Sequence, residues 1–223
     1  MCPSRTFPFL AFFLAAVGLS PVLEAQEGGQ NVRPLATGPY SEATALLEKT
    51  LFRIDIARLH LRFGPETAAE LATLLEGRDR TSVLADSAAQ VAMRSRNAWA
   101  RLTFLRDVSF EQFLGGIRES VQTALKGGVV DSTFVRALSD SLPSWYAPLR
   151  GREVREGDRM TYRIRGDSLH TVVRTAEGRV LVDHRDADPQ APLSVLGGYF
   201  SPGSDFREGL LNSLFRSGNS RTR

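Results

Sequence analysis

Met160-Thr-Tyr-Arg-Ile-Arg165, Leu169-His-Thr-Val-Val-Arg174 and Arg179-Val-Leu-Val-Asp-His184 follow one another with short breaks between them. Each reads as a short strand, the first alternating cleanly between apolar and polar residues in the pattern of a strand with one buried face. Glu177-Gly178 stands between the last two, where a tight hairpin turn calls for glycine. Strands joined by hairpins run antiparallel, so this block predicts an antiparallel sheet.

The residues upstream supply more strands and the helices to cover them. Leu51 to Phe63, Leu-Phe-Arg-Ile-Asp-Ile-Ala-Arg-Leu-His-Leu-Arg-Phe, alternates as a long strand but changes phase midway. Phe52, Ile54 and Ile56 point one way and Ala57, Leu59, Leu61 and Phe63 the other, which calls for opposite coverage of the two halves or a bulge. Gly64-Pro65 opens a helix over Glu66 to Leu75, and a second helix runs from Thr81 to about Arg94. Ala98 to Val108 reads as a strand with Leu102 and Phe104 on one face. Ser109-Phe-Glu-Gln112 is then a capping box, and Phe110, Phe113, Ile117, Val121 and Leu125 recur at helical spacing until Gly127. A further helix begins at Ser132 and gives way near Pro143. The chain ends with helices over Leu193 to Phe200 and Asp205 to Phe215, separated by Ser201-Pro-Gly-Ser204. The class is α+β: a large antiparallel sheet with helices mainly on one face.

With 223 residues, 42% hydrophobic and 24% charged, the chain falls in the globular range and suits one domain. The expected organisation is a signal peptide over residues 1–25, a flexible leader over 26–40, one domain over 41–215 and a basic tail over 216–223. The signal reading rests on Arg5 followed by the apolar run Phe7 to Leu19, shorter than the roughly 20 residues a spanning helix needs. It implies a periplasmic or secreted bacterial protein with no stable membrane span after cleavage. Cys2 is the only cysteine, which excludes disulfides and thiol chemistry in the body of the chain. A net charge of +3, evenly spread along the sequence, argues against nucleic acid as partner. His60, His170 and His184 lack metal-ligand spacing and read as surface strand histidines. No cofactor is implied. The Gly-Gly pairs at Gly115, Gly127 and Gly197 lack the context of a phosphate loop and read as close packing or helix termination.

Three blocks resemble the bacterial chalcone isomerase-like proteins. They are the strand Leu51 to Leu61; the strand-to-helix junction Leu102-Thr-Phe-Leu-Arg-Asp-Val-Ser-Phe-Glu-Gln-Phe113; and Glu156-Gly157-Asp158 leading into Tyr162, with Gly197-Gly-Tyr-Phe200, Pro202 and Asp205 through Leu211 closing the chain. The resemblance implies an open-faced β-sandwich, a large antiparallel sheet under a helical layer. It also implies, for the plant enzymes, an Arg, a Thr and a Tyr that polarise a carbonyl. Threading puts Ala43, Asp55 and Val108-Ser109 at those places, so the known catalytic groups are absent and no catalytic residue is assigned.

Arg106 and Asp107 are the most informative charges. Arg106 is in line with Leu102 and Phe104, which aims its guanidinium at the carboxylate of a ligand held between sheet and helices. The rival reading is an ion pair of Arg106 with Asp107 that anchors the junction. Arg106, Asp107, Asp55 and Tyr162 are the candidate ligand-binding residues. The expected function is an exported, non-catalytic chalcone isomerase-like protein holding a fatty acid or other apolar carboxylate. Its rivals are an isomerase or intramolecular lyase using Arg106, Asp107 and Tyr162, and an envelope interaction module without a small ligand.

Overall fold

The computed structural model describes residues 34–48 and 55–219. The signal peptide, the start of the leader, Phe52, Ile54 and the end of the basic tail lie outside the described residues. Six strands form one antiparallel sheet in chain order: β1 (Glu42–Glu48), β2 (Asp55–Phe63), β3 (Asn97–Phe104), β4 (Arg159–Arg165), β5 (Ser168–Arg174) and β6 (Val180–Asp186). The helices are α1 (Pro65–Leu75), α2 (Ser82–Met93), α3 (Phe110–Lys126), α4 (Ser132–Trp145), α5 (Gln190–Phe200) and α6 (Arg207–Asn219), with a 3₁₀ turn at Ala147–Leu149. Among the described residues no helix is long and apolar enough to cross a membrane.

One sheet face is buried, and the alternation of each strand decides which. Ala57, Leu59, Leu61 and Phe63 on β2 are completely buried, and Leu102, Phe104, Met160, Tyr162 and Ile164 continue their face across β3 and β4. Removing this apolar surface from water drives the helices onto the sheet. The phase change in β2 is a bulge: Leu47 pairs with Ala57 but Glu48 with Asp55, so Ile56 is the extra residue.

Local chemistry fixes the helix over the sheet's centre. Ser109 Oγ accepts from the Gln112 amide at 3.2 Å while Gln112 Oε1 accepts from the Ser109 amide at 3.1 Å, the complete capping box. Ser109→Ala should cost about 1 kcal/mol, read as a lower melting temperature with ligand binding unchanged. Gly197 and Gly198 bring α5 close onto α3, since a Cβ on Gly198 would lie 2.0 Å from Ser120 Oγ and one on Gly197 2.9 Å from Ala124 Cβ. Gly127 ends α3 as expected.

Several expectations change. The leader is not loose at its end: the Ala36 amide donates to Phe63 O at 2.8 Å, Asn97 Nδ2 donates to Pro34 O at 3.2 Å, and Tyr40 is buried. β3 stops at Phe104 rather than Val108, because the Leu105 amide turns to Ile56 O, and Val108 makes only an isolated bridge with Val154. α4 passes through Pro143 to Trp145; the lost amide falls in the last turn, where buried Leu142 and Tyr146 hold the backbone. β1 has no strand signature, since Ala, Leu and Glu favour helix. Ala45 nevertheless packs on α6 at Gly209, where a Cβ would lie 2.8 Å from its own.

Asp158 locks the β4 entrance. Its carboxylate is 1% exposed and takes a bidentate pair from Arg152 at 2.6 and 3.0 Å, the Arg155 amide at 2.9 Å and the Ala176 amide at 3.2 Å. Burial pushes this carboxyl up, but the Arg152 and amide hydrogen bonds outweigh it and hold the group below its ordinary value.

Candidate functional site

A cavity of about 450 Å³ lies between the buried sheet face and the helical layer. Its floor crosses the sheet from Leu47 and Ile56 through Phe104, Met160 and Leu169 to His184 on β6. Its roof is made by α3, α4 and α5, with Phe113, Leu138 and Val195 facing inward. The volume is in the range of small-molecule sites, and the lining is mostly apolar with a few polar groups. Gly115 and Gly116 line it while remaining exposed, and a Cβ at either would meet nothing within 4 Å. Close packing therefore does not explain this pair. Two mid-helix glycines cost about 1 kcal/mol each relative to Ala, and what they leave is open space at the cavity rim.

Arg106 lines the cavity just beyond the end of β3. Its Nε is buried with no hydrogen-bond partner, and no carboxylate of the described residues pairs with it. An unpartnered guanidinium donor in a largely apolar space is costly unless an acceptor arrives. Asp107 points elsewhere: it is exposed, lies outside the lining, and its Oδ1 accepts from the Glu156 amide at 2.8 Å. The ion pair Arg106–Asp107 is not formed, and Asp107 serves the junction instead.

Tyr162 also lines the cavity, alongside Tyr146 and Tyr199. The Tyr162 and Tyr146 hydroxyls donate to Met160 Sδ at 3.4 and 3.9 Å, and thioether sulfur is a weak acceptor. Burial first, then the neighbouring phenols, push Tyr162 well above its ordinary value, and burial does the same for Tyr146 and Tyr199. All three remain neutral donors. Tyr162 pairs across the sheet with Ala100, which lies about 14 Å along β3 from Phe104 at 3.4 Å per residue. Asp55 begins β2 beside the bulge, and its side chain lies outside the described residues.

His184 is the polar group that sequence reading placed wrongly. It is not a surface residue: it shares the inner face with Val182, stacks on Trp145 with ring centroids 3.8 Å apart, and its Nε2 is buried without a partner. The alternation of β6 already puts Val182 and His184 on one face, but only the helical layer shows which face is covered. His60 and His170 are on the outer face, bonded to Glu42 and Asp183 at 3.0 and 2.8 Å. Among the described residues, no three His, Cys, Asp or Glu side chains converge as a metal site.

No protein-family model matches the chain, and no curated protein matches it with significance. Among solved structures it is similar to an Arabidopsis thaliana fatty-acid binding protein, with a TM-score of 0.54 and 15% identity, over 83% of this chain and 94% of that one. The likeness shows the fold: the α+β open-faced β-sandwich of the chalcone isomerase-like proteins.

Proposed function

We propose that this chain is an exported chalcone isomerase-like protein of bacterial type that binds, without chemical turnover, a fatty acid or similar apolar carboxylate in the sheet–helix cavity. The observation that carries this reading is the unpartnered Arg106 Nε lining a mostly apolar space of about 450 Å³. A carboxylate supplies the missing acceptor with a charge-assisted bond, and an acyl chain fills the remaining space by hydrophobic burial. The fatty-acid binding of the similar Arabidopsis protein supports it. Export rests on Arg5 and the run Phe7 to Leu19.

The test is extraction of the purified protein and mass spectrometry of what it retains. Carboxylates with long apolar chains are the expected finding, and a protein that neither retains nor takes up any of them would refute the reading. N-terminal sequencing of the envelope form should begin near residue 26. Chalcone cyclisation is expected to stay at background, because an oxyanion donor contributes about 10²- to 10³-fold and the groups the enzymes use are absent together. Ala43 and Val108 offer no polar side chain, and the Ser109 hydroxyl is engaged at its helix cap. Measurable closure of a hydroxychalcone that vanishes in Arg106→Ala would restore the isomerase reading.

A further inference from the structure

Among the described residues no helical layer covers the second sheet face, and the register aligns its side chains in rows. In one row Arg58, Thr103, Arg159 and Arg174 run between Leu46 on β1 and Val180 on β6. In the next, Arg101 is the central cation. In the third, Arg62, Trp99, Arg163, His170 and Arg185 follow from β2 to β6, and Arg165 extends the face on β4. Glu42 and Asp183 are the carboxylates of these rows, and both sit on edge strands. They are already occupied: Glu42 by His60 and Arg62 at 3.0 and 3.3 Å, Asp183 by His170 at 2.8 Å.

Positive charge is therefore not evenly distributed in space, although it is along the sequence. The whole chain carries only +3, so the charges of the residues outside these rows sum to a net negative value. Arg58, Arg101, Arg159, Arg165 and Arg185 are exposed, and none has a carboxylate within 4.0 Å among the described residues. The arginines also act on one another: burial and then the Arg159 charge lower Arg101, and burial and then Arg165 lower Arg163. Like charges held side by side on a rigid sheet are relieved by an external anion.

We propose that this outer sheet face docks the protein on an anionic lipid surface, with the arginine rows against the headgroup phosphates. The shape favours a membrane over a polynucleotide. A broad sheet presents no projecting helix or ribbon to enter a duplex groove. A single-strand platform needs open aromatic faces, and Trp99 is covered by the Arg101 guanidinium at 4.6 Å and met edge-on by His60 at 5.5 Å. Leu46 and Val180, 41% and 44% exposed at the two ends of one arginine row, add shallow apolar contacts. The proposal is independent of what the cavity holds.

The test is co-sedimentation of the full chain with phosphatidylcholine vesicles, with and without phosphatidylglycerol, at about 50 mM and about 500 mM salt. The expected result is binding that requires the anionic lipid and weakens at least tenfold at high salt. Each basic residue near an anionic surface contributes about fivefold in partitioning, so loss of three charges costs about 100-fold, and joint Arg101→Glu, Arg159→Glu and Arg174→Glu replacement, which also adds three negative charges, should lower it by well over 100-fold. The corresponding three Gln replacements should give an intermediate loss, with circular dichroism unchanged. Any contribution of Phe7 to Leu19 is common to all these proteins and cancels in the comparison. Equal binding to neutral vesicles, no binding to either composition, or indifference to the replacements overturns the proposal. So does arginine-dependent binding of an oligonucleotide without vesicle binding, which would assign the face to nucleic acid.

Discussion

Arg106→Leu should weaken binding of a long-chain carboxylate by about 10- to 100-fold while leaving the fold intact, measured by displacement of a fluorescent fatty acid. A hydrogen bond to a charged group contributes about 1.5–3 kcal/mol, and a cavity that excludes water removes the competing solvation. The Arg106 Nε has no protein partner to lose, so the substitution breaks no internal ion pair and removes a buried unsatisfied donor. Stability should hold or rise slightly in the ligand-free protein, and thermal shift on adding fatty acid should shrink. Arg106→Lys should recover only part of the affinity, because an ammonium lacks the planar fork that meets both carboxylate oxygens. A large loss of stability with unchanged affinity would make Arg106 a structural residue and move the head group elsewhere in the cavity. Tyr146, Tyr162 and Tyr199 are then the donors to test, since burial keeps all three phenols protonated.

Asp158→Ala should cost about 3–5 kcal/mol, a large fraction of the 5–15 kcal/mol that holds a domain together. The loss has two sources. Arg152, with its side chain 18% exposed, would keep a nearly buried charge without its partner, and the Arg155 and Ala176 amides would lose their acceptor. Replacing Arg152 and Asp158 together by apolar residues should cost less than the sum of the single changes, because no orphan charge remains. The pH dependence follows from the direction of the shift. Asp158 is held below its ordinary value in the folded protein, so its contribution is present above the unfolded carboxylate range near about 3.9 and is lost as pH falls through the lower folded value. Chemical denaturation between pH 6 and pH 2 should show this acid-side loss in the parent protein and a smaller one in Asp158→Ala. Equal acid slopes would mean that other carboxylates govern acid unfolding.

Some of this protein is legible wherever a local rule suffices. The Ser109 capping box, the stripe Phe110–Phe113–Val121 and the stop at Gly127 lie within one helix, and the structure reproduces them because hydrogen bonds and helical periodicity act over a few residues. The hairpin at Gly178 and the bulge at Ile56 are equally local, one read from turn chemistry and the other from a slip in alternation. Alternation also identified Arg106 as aligned with Leu102 and Phe104, and Arg106 does line the cavity. The pairing of Asp158 with Arg152 was hidden, although Asp158 stood in a recognised block, because nothing in the spacing of the two residues specifies a bidentate contact.

What only the tertiary structure decided comes from pairings between segments distant in the chain. β1 is a strand because β2 offers it an edge and α6 packs on Ala45, which overrides the helical preference of Glu42 to Glu48. His184 faces inward because α4 brings Trp145 over β6. Arginines scattered from Arg58 to Arg185 become one basic face because register converts positions in five separate strands, β2 to β6, into rows whose neighbouring strands are about 5 Å apart. Local sequence determined the elements and which side of each is apolar. The cavity, the inward-facing histidine and the charged face belong to the order in which those elements were laid together.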